Sequence, residues 1–236
     1  MNSGSERQRS MVRDIIRRFV TIAAFMVLQA VILFGTAGTV NWIWAWVFLA
    51  IGVLTVVING AIAIRVNPEV IAERGRAPET AGWDKVVSGL GGVGLYFIVP
   101  LVAGLDHRFG WTRGLSTTWN VVGGVALAAA WGWVAWAMIT NAYFSTAVRI
   151  QSERGHTVCS SGPYRLMRHP GYVGFGVQPL TTALLLGSLW ALLPAIATTA
   201  LMVMRTALED RFLQANLPGY QEYTQRVRYR LVPGIW

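Results

Sequence analysis

Long apolar runs constrain the fold of this chain more than any other feature. Four of them have the length of a membrane span and cover about 19–38, 42–64, 86–105 and 119–140. A further apolar stretch extends from about 173 to 204, which is too long for one upright span, and Gly187-Ser188 interrupt it near its middle. It is either a hairpin of two short helices or one long tilted helix, and we favour the hairpin. We therefore predict an all-α, multi-pass integral membrane helical bundle of five or six spans.

The composition agrees with this fold class. Hydrophobic residues make up 54% of the chain and charged residues only 13%, which is too apolar for an ordinary soluble domain. The net charge of +9 suggests a nucleic-acid partner, but the basic residues lie between the apolar runs rather than in one continuous stripe. We predict a lipid bilayer as the partner, and no nucleic acid. A single cysteine, Cys159, excludes an internal disulfide and a cysteine-cluster metal site, and no metal is predicted.

The positions of Lys and Arg predict the orientation in the membrane. If the late apolar stretch is a hairpin, every Lys and Arg except Arg108 and Arg113 falls on the same side. The positive-inside rule places that side in the cytoplasm. We therefore predict a multi-pass protein of the plasma (inner) membrane with both termini in the cytoplasm.

Two further helices are predicted outside the spans. Asn67, Pro68 and Glu69 have the order of an N-cap, a first helical residue and an acidic first turn, which predicts a short surface helix. Beyond Thr140, the apolar residues of 143–148 recur at helical spacing and predict a helix along the membrane interface.

The segment 161–174, with the sequence SGPYRLMRHPGYVG, concentrates imidazole, guanidinium and phenol groups just before the late apolar run. Pro170 disfavours α conformation at His169 and is itself suited to the first position of a helix. His169 would then lie at a helix N-terminus, which favours an anionic group, and Gly171 and Gly174 would let a flat ligand approach the first turn. In the alternative, His169 only caps the helix and Arg168 meets lipid phosphates.

A second charged cluster, Arg205, Glu209 and Asp210, lies where the late apolar run ends. A solvated helix end explains such charges in part, with Arg205 extending its side chain to the membrane surface. Ionisable groups at membrane depth, however, tend to mark function. Both clusters are therefore candidate parts of one site.

These motifs together resemble the isoprenylcysteine carboxyl methyltransferase family, with its bacterial relatives and the phospholipid methyltransferases. The resemblance covers about the last 95 residues. It rests on Gly155-His156, SGPYR at 161–165, RHPGYVG at 168–174, Arg205-x3-Glu209-Asp210-x2-Leu213 and Tyr220-x2-Tyr223. The chain departs from the family at Asp210, which stands where the second of two paired glutamates is usual.

The resemblance implies a methyltransferase that uses S-adenosylmethionine, held in a cytoplasmic pocket that the C-terminal segment closes. By this resemblance the cofactor-binding residues are Gly162, Pro163, Tyr164, Arg168, His169, Pro170, Tyr172 and Glu209. The implied catalytic residues are Arg205 and Asp210. Arg205 suits a carboxylate acceptor as a bidentate clamp, whereas a thiol or amine needs a base, for which His169 or Asp210 is available.

The apolar runs and the charges predict a basic tail over 1–18 and a four-span region over 19–140, and the resemblance implies a catalytic region over 141–236. The expected methyl acceptor is lipophilic or a small molecule that partitions into the membrane, and it is a carboxylate, a thiol or an amine. Two other functions stay open: a nicotinamide-dependent membrane reductase of the sterol reductase type, and a non-enzymatic membrane protein in which Arg168 and Arg205 anchor to headgroups.

Overall fold

The structure, a computed structural model, describes residues 3–66, 82–113 and 115–236. Within these ranges the regular elements are helices, which confirms the predicted all-α bundle. They are α1 (Ser3–Ala37), α2 (Ile43–Val66), α3 (Gly82–Phe109), α4 (Thr117–Thr140), α5 (Pro170–Leu185), α6 (Leu192–Asn216) and α7 (Tyr220–Arg226). The surface helix predicted from Asn67, Pro68 and Glu69 lies outside the described residues.

Five of these helices, α1 from Val12 onward, α2, α3, α4 and α6, are long and apolar enough to cross a membrane. Many of their outward side chains are exposed and apolar, such as Val57 at 59% and Val125 at 67% exposure. This is the pattern of a surface that faces lipid rather than water. The remaining long element, α5, has 16 residues and is therefore only about 24 Å long.

The predicted hairpin is confirmed, because α5 and α6 are separate helices joined by a tight turn. Gly187 takes a left-handed conformation with φ of +74°, and the Ser188 N–H donates to the Ala183 carbonyl at 3.0 Å. Asp106, at the end of α3, accepts hydrogen bonds from the Ser188 hydroxyl and from the Thr112 N–H and hydroxyl. The turn is thus fixed to the end of α3.

The middle of α3 contains a single π-helical segment, Gly94–Ile98. Pro100 follows it and lacks the N–H that would bond the carbonyl four residues earlier, so the regular α pattern is interrupted there. The segment brings Leu95 and Tyr96 to the wall of a large internal cavity.

Close packing between α4 and α5 depends on glycine. A Cβ at Gly174 would overlap the Val134 side chain, and one at Gly123 would overlap the Leu185 backbone. Gly174 therefore serves helix packing, not the approach of a ligand, and that prediction is wrong. Gly171 does line the cavity, beside the ring of Phe144.

The interfacial helix predicted beyond Thr140 is also wrong. Residues 141–151 form an irregular segment, followed by a 3₁₀ turn at Ser152–Arg154. Its backbone bonds to side chains of other elements: the Val148 N–H donates to Asp84 and the Thr146 carbonyl accepts from Arg205. Buried charged groups thus take the place of helical hydrogen bonds, which helical spacing alone does not reveal.

Candidate functional site

One cavity of about 470 Å³ joins the C-terminal region to the membrane bundle. Its volume falls within the range of about 300–1,000 Å³ that is usual for small-molecule sites. The predicted residues Tyr164, Arg168, His169, Tyr172, Arg205 and Glu209 all line one end, which we call the polar end. Apolar side chains of α1, α3 and α4, including Phe25, Met26, Leu95 and Trp131, line the other, which we call the membrane end. Gly162, Pro163, Pro170 and Asp210 are not among the lining residues.

Asp210 is fully buried and connects the parts of the polar end. Arg168 donates to both carboxylate oxygens, at 2.8 and 3.0 Å, and Arg230 donates to Oδ2 at 2.8 Å. The Tyr220 hydroxyl donates to Oδ1 at 3.1 Å, and the His169 Nε2 lies 3.2 Å from the same atom. These charge-assisted contacts compensate the loss of hydration at Asp210.

The C-terminal segment 227–236 covers this cluster. The N–H groups of Arg168 and His169 donate to the carbonyls of Tyr229 and Arg230, both at 2.9 Å. The guanidinium of Arg168 also donates to the Val227 carbonyl at 3.2 Å. The motif before α5 and the end of the chain are therefore held together by backbone and side-chain bonds, as expected for a segment that closes the site.

Two tyrosines of α7 anchor that helix to the motif. The Tyr223 hydroxyl donates to the Tyr164 carbonyl at 2.6 Å. Burial, and next the negative charge of Asp210, raise the pKa of Tyr220 far above its usual value. Burial likewise raises the pKa of Tyr223. Both phenols therefore stay protonated and act as hydrogen-bond donors.

Glu209 presents a carboxylate to the cavity. It is half-buried, and the Tyr172 hydroxyl donates to its Oε2. Among the described residues, Oε1 has no hydrogen-bond donor, and Glu209 lines the cavity. Glu209 differs in this from its neighbour Asp210, whose two oxygens are occupied by protein groups.

Arg205 is held rigidly in the cavity wall. Its Nε donates to Asp84 Oδ1 at 2.8 Å, its Nη2 donates to the Thr146 carbonyl at 2.8 Å, and its guanidinium carbon lies 5.3 Å from the centroid of the Tyr172 ring. A guanidinium has five N–H donors. Those that these contacts leave over are available to an acidic or polar ligand group.

Sequence reasoning missed Asp84. This residue is only 1% exposed and pairs with Arg205 while accepting from the Val148 N–H at 2.8 Å. The available signal was an acidic residue in the first turn of a membrane-spanning helix, where an isolated charge is costly and tends to be functional. Its partner, 121 residues later, could not be identified from spacing.

The remaining predicted residues shape the chain around the cavity. Gly162 has φ of +52°, and a Cβ there would lie 2.9 Å from the Thr140 Oγ1, so glycine is required. Pro163 lies in the first turn of the 3₁₀ segment Gly162–Arg165, and Pro170 begins α5. His169 takes φ −126° and ψ 60°, which confirms that Pro170 keeps it out of α conformation.

His156 lies in the cavity wall. Its ring stacks on Tyr143 with centroids 4.4 Å apart, and its Nδ1 accepts from the Gln151 N–H at 3.3 Å. Burial is the largest cause that lowers the pKa of His156, to about 4, and the positive charges of Arg149 and Arg154 add to it. The ring is therefore a neutral, aromatic part of the wall near pH 7.

Residues 123–215 match the isoprenylcysteine carboxyl methyltransferase (ICMT) family. This confirms the resemblance inferred from the motifs, over α4, α5 and most of α6. The matched segment contains every predicted site residue. It is less than half of the chain and includes none of α1, α2 and α3.

Curated relatives match over stretches of similar length. The chain is 38% identical over 85 residues to the cobalt-zinc-cadmium resistance protein CzcN of Cupriavidus metallidurans, covering 34% of this chain and 38% of that protein. It is 35% identical over 89 residues to a probable protein-S-isoprenylcysteine O-methyltransferase of Oryza sativa, covering 36% and 45%. The Delta(14)-sterol reductase of Mus musculus is 36% identical over 91 residues, covering 37% and 22%. The chain therefore spans less than half the length of these relatives.

Proposed function

We propose that this chain is an integral membrane methyltransferase that takes a methyl group from S-adenosylmethionine and transfers it to a lipophilic acceptor. The observation that carries the proposal is the single cavity that joins a polar end, built by the family-matched residues 123–215 and closed by the C-terminal segment, to a membrane end between apolar helices. A soluble, charged cofactor and a membrane-dissolved acceptor need such a cavity with two unlike ends.

The polar end fits S-adenosylmethionine by its chemistry. The cofactor carries an ammonium group and ribose hydroxyls, and the open Oε1 of Glu209 can accept a hydrogen bond from either. It also carries flat rings, which aromatic side chains of the wall such as His156 and Tyr172 can contact. When bound, it supplies an electrophilic methyl group. Because the sulfonium loses its positive charge in the reaction, a carboxylate against sulfur would stabilise the ground state more than the transition state. Glu209 therefore holds the amino or ribose groups.

Arg205 is the residue proposed to orient the acceptor. In the transfer, the acceptor's nucleophilic atom bonds to the methyl carbon while the carbon–sulfur bond breaks and its electron pair stays on sulfur. A carboxylate acceptor needs no proton removed, and the N–H donors that Arg205 keeps free can aim it.

A thiol or amine acceptor would need a base. Asp210 is surrounded by two guanidiniums and a phenol, and His169 shares that cluster. These contacts favour a positioning role for Asp210 and make a carboxylate the better-supported acceptor.

A nicotinamide-dependent reductase is the second candidate, and it is favoured by the match to a sterol reductase over 91 residues. The two candidates require different cofactors at the same polar end. Binding of NADPH, with no binding of S-adenosylmethionine, would select the reductase.

The proposed orientation places the polar end in the cytoplasm of a cell with a plasma (inner) membrane. The start of α3 and the ends of α4 and α6 all border the polar end, since Asp84, Asn141 and Glu209 lie there. The basic residues flank this same end, as the positive-inside rule requires. In a Cys159→Ser background, thiol labelling of single cysteines introduced at 160 and 111 should label the first from the cytoplasm and the second from the opposite side.

The activity is tested with purified full-length protein in detergent or nanodiscs and S-adenosylmethionine carrying a labelled methyl group. Acceptors offered are fatty acids, prenylated thiols, small thiols and phosphatidylethanolamine. We expect label in a lipophilic product, and loss of that product in Arg205→Ala but not in Arg211→Ala, an exposed arginine on the same helix. No transfer to any acceptor class, with intact cofactor binding, would contradict the proposal.

A further inference from the structure

The cavity continues into a smaller chamber of about 40 Å³ that is enclosed by α1, α2, α3, α4 and α5. The two spaces share walls at Met26, Gln29, Leu95 and Trp131, so the chamber opens from the membrane end. Its far wall includes Gln178 of α5.

Gln178 is only 1% exposed, and neither its Oε1 nor its Nε2 has a hydrogen-bond partner in the part of the chain that the structure describes. Burying an amide without partners is unfavourable, and such groups in native proteins call for a ligand, a water molecule or a function. Several of the residues that line the chamber, such as Phe48, Leu49 and Leu127, have side chains that cannot form a hydrogen bond with this amide.

A second amide lies nearby. Gln29 of α1 is 8% exposed and lines both the chamber and the larger cavity, so it borders the passage between them. Two amides in an otherwise mostly apolar space inside a membrane bundle are expensive unless they bind something.

We propose that Gln178, with Gln29 beside the passage, recognises a polar group at the far end of the lipophilic acceptor. This inference rests on the proposed function and names its substrate class. Because Gln178 offers an acceptor oxygen and an NH₂ group with two N–H donors, the matching group both donates and accepts, as a hydroxyl or a carboxamide does. The acceptor is then an apolar chain that is methylated at one end and carries such a group at the other.

The position of Gln178 sets the length of the chain. Tyr172 borders the polar end and precedes Gln178 by six residues on α5, which corresponds to about 9 Å along the helix axis. A plain hydrocarbon end would leave the amide unpaired, and a short chain would not reach it. The protein should therefore distinguish chains with a polar end from chains with a plain hydrocarbon end at one range of chain lengths, and it should not distinguish them when the chains are shorter.

The test compares ω-hydroxy fatty acids with the plain fatty acids of equal length, in a series of lengths, against the full chain in detergent. Equilibrium dialysis gives each dissociation constant, and methyl transfer gives KM and kcat. We expect the wild-type protein to bind the hydroxy acid about five- to tenfold more tightly than its plain partner at the matching length. The preference should lie in KM rather than kcat.

Gln178→Met keeps the size of the side chain and removes its amide. We expect this variant to lose the preference, with a melting temperature equal to or above that of the wild type because an unpaired buried amide is gone. Gln225→Met, an exposed Gln on α7, is the matched control and should keep the preference.

The outcomes separate the two proposals. Equal binding of both acids to the wild type at every length would mean that the chamber holds water alone, and it would overturn the inference while leaving methyl transfer intact. A preference that survives in Gln178→Met would also overturn it. A preference in binding without any methyl transfer would support the recognition site and contradict the proposed function.

Discussion

The two ends of the cavity are built in opposite ways. At the polar end, Asp210 is enclosed by Arg168, Arg230 and Tyr220, and the end of the chain is bonded onto the motif before α5. At the membrane end, the walls are largely apolar and the Gln178 amide has no partner among the described residues. The polar end is thus fixed in shape before any ligand binds, whereas the membrane end leaves its polar contacts for a ligand to complete.

The difference between the two ends coincides with the extent of the family match along the chain. Residues 123–215 contain the predicted site residues of the polar end, whereas α1, α2 and α3, which form much of the membrane end, lie before them. Under the proposed function, a cofactor bound at the matched residues accounts for the fixed polar end. The proposed acceptor, in contrast, would contact helices to which the match does not extend, so it is inferred from this chain's own residues.

The largest expected effect is at the polar end. Asp210→Ala leaves two buried or half-buried arginines without their carboxylate, and we expect a loss of about 3–5 kcal/mol in the free energy of unfolding. Denaturant unfolding of the purified protein measures the loss, and limited proteolysis should show release of 227–236. If Asp210→Ala had wild-type stability, the distinction between the two ends would be removed. The same would follow if Gln178→Met lost as much free energy of unfolding as Asp210→Ala.

The next effect concerns the pair of Arg205 and Asp84, which joins the polar end to α3. Asp84→Ala should lower kcat at least about tenfold because Arg205 loses the contact that fixes it. Arg205→Lys should not retain wild-type activity either, since an ammonium cannot reproduce both guanidinium contacts.

A double-mutant cycle of Asp84→Ala and Arg205→Ala measures that pair directly. We expect an interaction energy of about 1–3 kcal/mol in stability. Strictly additive losses would show that the two side chains act independently, despite the 2.8 Å contact between them.

The hairpin turn lies at the opposite end of the bundle and is a control for both ends of the cavity. Asp106→Ala leaves the buried Ser188 hydroxyl without its acceptor, and we expect a destabilisation of about 1–3 kcal/mol. The dissociation constant of S-adenosylmethionine should not change, as calorimetry can determine. A weakened affinity would indicate that the turn and the polar end are coupled.

A further prediction concerns the pH dependence of stability at His156. Because its pKa is lowered to about 4 in the folded protein, the unfolded chain binds a proton there first, below about 6.5. The stabilising contribution of the neutral ring is complete above pH 6.5 and is lost as the pH falls toward 4. His156→Gln should flatten this part of the stability profile, and an NMR titration of the ring with a midpoint near 6.5 would contradict the account.

The sequence predicted the helical bundle, the hairpin and the grouping of the two charged clusters, because apolar length, Gly187 and Pro170 act locally. It did not predict that Asp84 pairs with Arg205, since that contact joins distant parts of the chain. Nor did it reveal that backbone groups in residues 141–151 bond to those two side chains instead of forming helical hydrogen bonds. Gln178 resembled any polar residue in an apolar run until the structure placed it beside a chamber.

The central claim is that the polar end holds S-adenosylmethionine through Glu209. Equilibrium dialysis of the labelled cofactor against the full-length protein in detergent tests it, with NADPH as competitor. We predict saturable binding at one site that NADPH does not displace. Glu209→Gln should weaken it at least about tenfold, whereas Glu222→Gln, an exposed carboxylate on α7, should not. Absence of saturable binding, or wild-type affinity in Glu209→Gln, would contradict the claim.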